Sequence, residues 1–165
     1  MGRRQSGASL DELREAYQRR LAEFRRVAAA IVGDRELASD VVQEAFVRAV
    51  KQRASFAGRG SLDGWLWRIV VNTARDHRSE PVGDRDETDE PGVYHDMVDE
   101  RRNVVRAAVQ QLPERQRLVL FLRHYADLDY GSIADALSIS DGTVAATLHA
   151  AHSRLRELLS EVRSA

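Results

Sequence analysis

Two tryptophans separated by a single residue, Trp65 and Trp67, stand in one short stretch with Arg59, Arg68, Asn72, Arg75 and Arg78. Indoles beside guanidiniums supply what an unpaired nucleic-acid strand requires: a flat apolar face for a base and fixed cations for the backbone. On a helix, positions 65 and 67 lie roughly 200° apart, so both cannot enter the same core. The expectation is that Trp65 is core and Trp67 is the surface indole; packing of Trp67 on the linker or on another helix of its own block is the competing account. Asp40, Gln43, Glu44 and Val47 recur at spacings of three and four and share one helix face, a mixed surface with no evident use inside a bundle. His95 and Asp96, with Asp99 and Glu100, have the residue types of a metal or acid-base cluster. They offer no partner histidines at ligand spacing and no rigid support, so no catalytic residue, metal site or cofactor is expected. His77, His124, His149 and His152 read as surface or groove residues rather than ligands.

The chain that must position these residues has 165 residues, 43% hydrophobic and 31% charged, with no cysteine. That composition describes a soluble globular protein and excludes general disorder, a disulfide scaffold, a thiol nucleophile and thiolate metal sites. No apolar run is long enough to cross a bilayer, and the amino-terminal MGRRQSGASLDEL has no apolar signal core, so a cytoplasmic location is expected. The net charge of -1 conceals segregation: +5 over residues 1–78, -8 over 79–100 and +2 over 101–165. Because 24 of the 25 basic residues are arginine, a GC-rich coding bias accounts for much of the basic character.

Apolar residues at Leu10, Leu13, Tyr17, Leu21, Phe24, Ala28 and Ile31 predict a first amphipathic helix, opened by a Ser9/Glu12 capping box and closed by Gly33. Asp34 caps a second helix with Leu37, Ala38, Val41, Val42, Ala45, Phe46 and Ala49 inside. After the loop KQRASFAGRG, Ser61 caps a third helix running to about Arg78, with Leu62, Leu66, Ile69 and Thr73 on one side. Residues 79–97 carry two of the three prolines and many carboxylates without periodicity, which predicts an acidic, flexible linker. Beyond it, Val98, Arg101, Val105, Ala108 and Leu112 fall in helical register, Pro113 starts a new helix, and Leu118, Phe121, Leu122 and Tyr125 are expected inside. Tyr130 to Leu137 reads as a short helix with Ile133, Ala134 and Leu137 buried. Ser138-Ile139-Ser140 is a turn, and a longer helix follows with Val144, Leu148, Ala151, Leu155 and Leu158 inside: a helix-turn-helix. The expected fold is all-α, with two small helical domains (1–78 and 98–165) joined by the linker.

Three motifs in order, DRELASDVVQEAFVRAV at 34–50, FAGRGSLDGWLWRIVVNTARDHR at 56–78 and LPERQRLVLFLRHYADLDYGSIADALSISDGTVAATLHAAHSRLRELL at 112–159, resemble a bacterial RNA polymerase sigma factor of the extracytoplasmic-function group. The resemblance implies a non-enzymatic promoter-specificity subunit with family regions two and four. Its partners are core RNA polymerase (the beta and beta-prime subunits), promoter DNA and a candidate anti-sigma factor. By the same resemblance, Asp40, Gln43, Glu44, Val47 and Arg48 form the polymerase-docking face, with Phe46 as a prop beneath it. Phe56, Arg59 and Ser61 lie in the loop that takes a flipped base of the minus-ten element, and Trp65, Trp67, Arg68, Asn72 and Arg75 lie on the helix that melts and reads it. The acidic linker matches the segment that enters the RNA path. The helix-turn-helix matches the minus-thirty-five reader, through Ser140, Thr143, Ala145, Ala146, Thr147, His149 and His152.

One departure is plain: where the family commonly has Lys, Ser and Arg after Gly-Thr-Val, this chain has Ala145, Ala146 and Thr147, with Ala150 and His152 at further arginine positions. Bidentate guanine reading is lost at these positions, leaving methyl and hydroxyl contacts. Two rival readings are a helix-turn-helix regulator that does not bind core polymerase, and an HD-type metal phosphohydrolase built on His95 and Asp96. Polymerase binding and divalent-metal binding, respectively, discriminate them.

Overall fold

A computed structural model describes residues 7–78 and 97–164 of the chain, and the described residues form helices only. The first block is α1 (Leu10–Val32), α2 (Arg35–Gln52), one 3-10 turn (Arg53–Ser55) and α3 (Leu62–Arg78); the second is α4 (Met97–Gln110), α5 (Glu114–His124), α6 (Tyr130–Leu137) and α7 (Asp141–Ser164). The expected linker and the His95-Asp96 pair fall largely or wholly outside the described residues.

Local chemistry sets the helix ends. The Ser9 hydroxyl accepts from the Glu12 backbone N–H and the Glu12 carboxylate from the Ser9 N–H, closing the capping box. The Ser9 backbone N–H, and then its hydroxyl, hold the Glu12 carboxyl below the usual carboxylate range. Gly33 ends α1 at φ 77°, a left-handed conformation that costs glycine nothing. One residue later Asp34 accepts from the backbone N–H groups of Glu36 and Leu37, so α2 starts at once and folds back along α1 as an antiparallel hairpin. At the start of α6, Asp129 accepts from Ser132 N–H, and this bond lowers the Asp129 carboxyl.

The first core is the seam of α1, α2 and α3. Phe24, Val27, Ala28, Val41, Val42, Trp67, Val70 and Ala74 are buried there, with Phe24 and Phe46 meeting edge to face at 5.4 Å. The second core joins Leu118, Leu122, Ile133, Val144, Leu148, Ala151 and Leu158. Leu155 is half-buried beside it. Tyr125, expected inside, is 52% exposed, and Val105, read in helical register, is 47% exposed. Tyr125 lies just past the end of α5, where the helical register that placed it inside no longer holds. Leu10, expected on the apolar stripe of α1, is the first residue of that helix and is 54% exposed.

Helix α3 is the shared wall of the molecule. One side lies on α1 and α2, and another lies against α6 of the second block, where Ser61 and Ser132 hydroxyls meet at 2.7 Å.

Candidate polymerase and nucleic-acid surfaces

The α2 face divides into two parts. Asp40, Gln43 and Val47 are exposed. Gln43 and Val47 line a groove between α1 and α2 whose other walls include Leu10, Leu13, Arg14, Tyr17, Phe46, Val50 and Lys51. Phe46 is its floor, half-buried and edge to face with Tyr17 at 4.5 Å, which fits the prop role. The α1 half of the groove has no signal in the sequence, because it exists only once the hairpin brings Leu10 and Tyr17 beside Phe46 and Val50. Glu44 does have a use inside the molecule, contrary to expectation, and Arg48 shares it: Glu44 pairs with Arg48 at 2.6 Å and with His77 Nε2 at 2.6 Å, and Arg48 pairs with Asp76 at 2.8 Å. The hydrogen bond from His77, reinforced by Arg48, holds the Glu44 carboxyl below its ordinary range against the opposing effect of burial. Asp76, Glu44 and burial act on the Arg48 guanidinium with a net rise. These two residues tie α2 to the end of α3.

On α3 the assignment of the tryptophans is corrected. Trp67, expected at the surface, is 0% exposed and packs on Phe24 with ring centroids 4.5 Å apart. Its indole nitrogen has no hydrogen-bond partner among the described residues. Leaving such a donor buried costs about 1 to 3 kcal/mol, which the burial of the large ring offsets. Trp65 does point elsewhere, as a two-residue offset requires, yet it is only 8% exposed because Phe56 of the preceding loop covers it at 5.6 Å. At 100° per residue, Trp65, Arg68, Asn72 and Arg75 fall within about 80° of one another and form one flank. Arg59, Arg68 and Asn72 are exposed, Phe56 is half-buried, and Ser61 caps α3 by accepting from Gly64 N–H at 2.9 Å. Arg75 is engaged: its Nε donates to Glu114 Oε1 at 3.0 Å, and Arg78 Nη1 donates to Glu114 Oε2 at 2.6 Å. Burial pushes the Glu114 carboxyl up, but the Arg75 and Arg78 guanidiniums overcome this and hold it below the usual range.

The second block presents one face of α7 openly. Ser140 caps α7 by accepting from Thr143 N–H at 3.2 Å, with the two hydroxyls 2.9 Å apart. Ala145, Ala146, His149 and His152 are exposed, and Thr143 and Thr147 half-buried, so the alanine-rich face is turned outward. His152 Nε2 lies 3.3 Å from His124 Nε2, and ring centroids at 5.6 Å place the two imidazoles nearly tip to tip. Among the described residues no group of three or more His, Asp or Glu side chains is placed to hold a metal.

A helical block with a hairpin groove and an arginine-bearing aromatic flank, followed by a helix-turn-helix block, fits the resemblance drawn from the sequence motifs. Comparison with known proteins agrees. Residues 13–80 match the family model Sigma-70 region 2 and residues 102–155 match Sigma-70, region 4. The chain is 32% identical over 146 residues to RNA polymerase sigma-H factor of Pseudomonas aeruginosa, covering 78% of this chain and 76% of that one. It is 34% identical over 123 residues to ECF RNA polymerase sigma-E factor of Escherichia coli, 64% of each chain. Among solved structures, CnrH in complex with the cytosolic domain of CnrY has a TM-score of 0.70 at 19% identity, covering 93% of this chain and 91% of that one. RpoE in complex with the anti-sigma factor NepR from Bartonella quintana also has a TM-score of 0.70, at 21% identity, covering 92% and 98%. The chain belongs to the extracytoplasmic-function group of sigma-70 RNA polymerase sigma factors. As a sigma factor it is not an enzyme; it binds core RNA polymerase and promoter DNA and directs the polymerase to promoters. No helix among the described residues is long and apolar enough to cross a membrane.

Proposed function

We propose that the exposed Asp40, Gln43 and Val47, with the groove walls contributed by Leu10, Arg14, Tyr17 and Phe46, dock the chain on core polymerase. The flank Trp65, Arg68, Asn72 and Arg75, with the loop from Phe56 to Ser61, then opens and reads the minus-ten element. The observation that carries the reading is the groove: an apolar hairpin face, with Val47 52% and Leu10 54% exposed, has no use within the fold and suits a partner helix. Trp67 supports the first block from within and touches no base. Phe56 acts as a cover that gives Trp65 a route to an unpaired base, because displacing the loop uncovers an indole already on the cationic flank.

The second block, from about residue 98, contacts the minus-thirty-five element through Ser140 to Thr143 at the helix start and the Ala145, Ala146, Thr147, His149 and His152 face. With no cation on that face, sequence discrimination there is weak, and tethering to the polymerase supplies the local concentration that contacts do not. The acidic segment 79–97 serves as the connector between the two. Location with the polymerase in the cytoplasm follows from this role. An anti-sigma protein is a candidate partner, on the likeness to the sigma factor RpoE of Bartonella quintana, solved with the anti-sigma factor NepR.

The test is reconstitution. Added to cognate core polymerase, the chain should direct initiation from a subset of promoters; scrambling the minus-ten element should abolish the transcript, and scrambling the upstream element should reduce it modestly. Core polymerase that acquires no promoter specificity from the chain would overturn the reading.

A further inference from the structure

The meeting of His124 with His152 serves neither the docking groove nor the minus-ten flank. The two histidines are 28 residues apart, so no ligand spacing shows in the sequence; the packing of α5 on α7 brings them together. His124 is the last residue of α5, two positions after buried Leu122, and His152 follows buried Ala151 in α7. Both rings are exposed, but each backbone is fixed by a core residue close by, so the imidazoles are presented from packed helices rather than from loops.

Their Nε2 atoms stand 3.3 Å apart. Zinc holds imidazole nitrogens at about 2.0 to 2.1 Å, which sets two of them about 3.3 to 3.4 Å from each other at the tetrahedral angle. The separation is therefore that of two ligands on one tetrahedral ion. The rings meet nearly tip to tip, with centroids 5.6 Å apart, so an ion requires each ring to tilt by about 35° until the two lone pairs converge. Exposed side chains can tilt in this way without disturbing the core beneath them. The same pair can instead share one proton between its nitrogens. Charge distinguishes these two occupants: the C-terminal end of α5 is the negative pole of its dipole, and Arg123 beside it is paired with Asp127, so the position favours a dication.

We propose that His124 and His152 form a two-imidazole site for a borderline divalent ion of the zinc class, which braces α5 to α7 and leaves its remaining positions to water. Imidazole suits zinc, nickel and copper, whereas magnesium and calcium take oxygen ligands. Both Nε2 atoms give a lone pair to the ion, so both rings carry their proton on Nδ1. Among the described residues no third His, Asp or Glu side chain is placed to join them, which makes this an open, exchangeable site rather than a closed four-ligand centre. Folding is what brings the two ligands together, so the bound ion stabilises the second block against unfolding.

The test is zinc chloride titrated calorimetrically into the full chain after chelator treatment and dialysis. One saturable site per chain is expected, and magnesium chloride should give none. His124→Gln and His152→Gln should each weaken zinc binding more than tenfold, since loss of even an outer-shell partner of a ligand costs about 10- to 100-fold in metal affinity. His95→Gln, which alters the His95-Asp96 pair, should leave it unchanged. Zinc should also raise the melting temperature of the parent chain, reversibly with chelator, and should raise that of neither His124→Gln nor His152→Gln. Both substitutions fall at exposed positions, so their circular dichroism and metal-free melting should match the parent. No saturable zinc site in the parent would leave the pair a hydrogen bond only and overturn the proposal. Zinc binding that survives His124→Gln, binding lost with His95→Gln, or saturation without a rise in melting temperature would each overturn it as well.

Discussion

The surfaces proposed to meet nucleic acid differ in kind between the two blocks. In the first, the chemistry is rich but engaged: Trp65 lies under Phe56, and Arg75 and Arg78 are held by Glu114. In the second, the face of α7 is open but sparse, offering Ala145, Ala146, Thr147 and His149 and no cation. Strong contacts that must first be released suit a step that is conditional, such as melting DNA. Weak contacts permanently on display suit a tethered element that positions the protein without committing it.

The largest expected effect separates scaffold from reader within α3. Trp67→Ala should destabilise the protein by about 3 to 5 kcal/mol in denaturant unfolding, since a fully buried indole is removed from the α1–α3 core. Trp65→Ala should cost less stability and should slow promoter opening on duplex templates more than on pre-melted ones, by the roughly 1 to 3 kcal/mol that base stacking is worth. Equal stability losses for the two variants would erase the distinction between them.

Charge removal and charge addition then test the two blocks against each other. Removing Arg68 and Arg75 together should lower single-strand affinity and flatten the log-log salt dependence by about 0.7 for each phosphate no longer neutralised. On α7, Ala145→Lys with Thr147→Arg should raise duplex affinity and steepen the slope by about 0.9 for each phosphate newly neutralised. A neutral outcome on α7 would mean that its face does not meet the phosphates.

The smallest effect is a pH dependence. The Glu114 carboxyl lies below its ordinary range in the folded chain, so its contribution is complete above the unfolded value near 4.3 and is lost as pH falls through the folded value. Solvent screening keeps this below about 1 kcal/mol. Comparing parent and Glu114→Gln by thermal melting, the gap between them should stay constant well above the unfolded value and shrink as pH falls through the lowered folded value.

What the sequence disclosed was local. The Ser9/Glu12 box, the Gly33 stop, the Asp34 cap and the α6 span Tyr130–Leu137 all follow from residues within a few positions of one another, and the structure contains each of them. The error at Trp67 came from treating the side opposite Trp65 as surface. The wheel argument is sound, but it does not say that the loop with Phe56 covers one side of α3 while Phe24 meets the other. Glu44 and Arg48 find His77 and Asp76 33 and 28 residues away, and Arg75 finds Glu114 39 residues away. No periodicity reports such pairs. The groove proposed for docking was half legible for the same reason: Gln43 and Val47 lie on α2, while Leu10, Arg14 and Tyr17 come from α1.

The central claim is that the α1–α2 groove is where the chain meets core polymerase, and affinity of the full chain for core polymerase tests it most directly. Val47→Asp and Asp40→Lys alter only exposed positions, so helicity and melting should match the parent chain, while affinity should fall on the order of tenfold or more for Val47→Asp if it is an interface anchor. Undiminished affinity in both correctly folded variants would contradict the account.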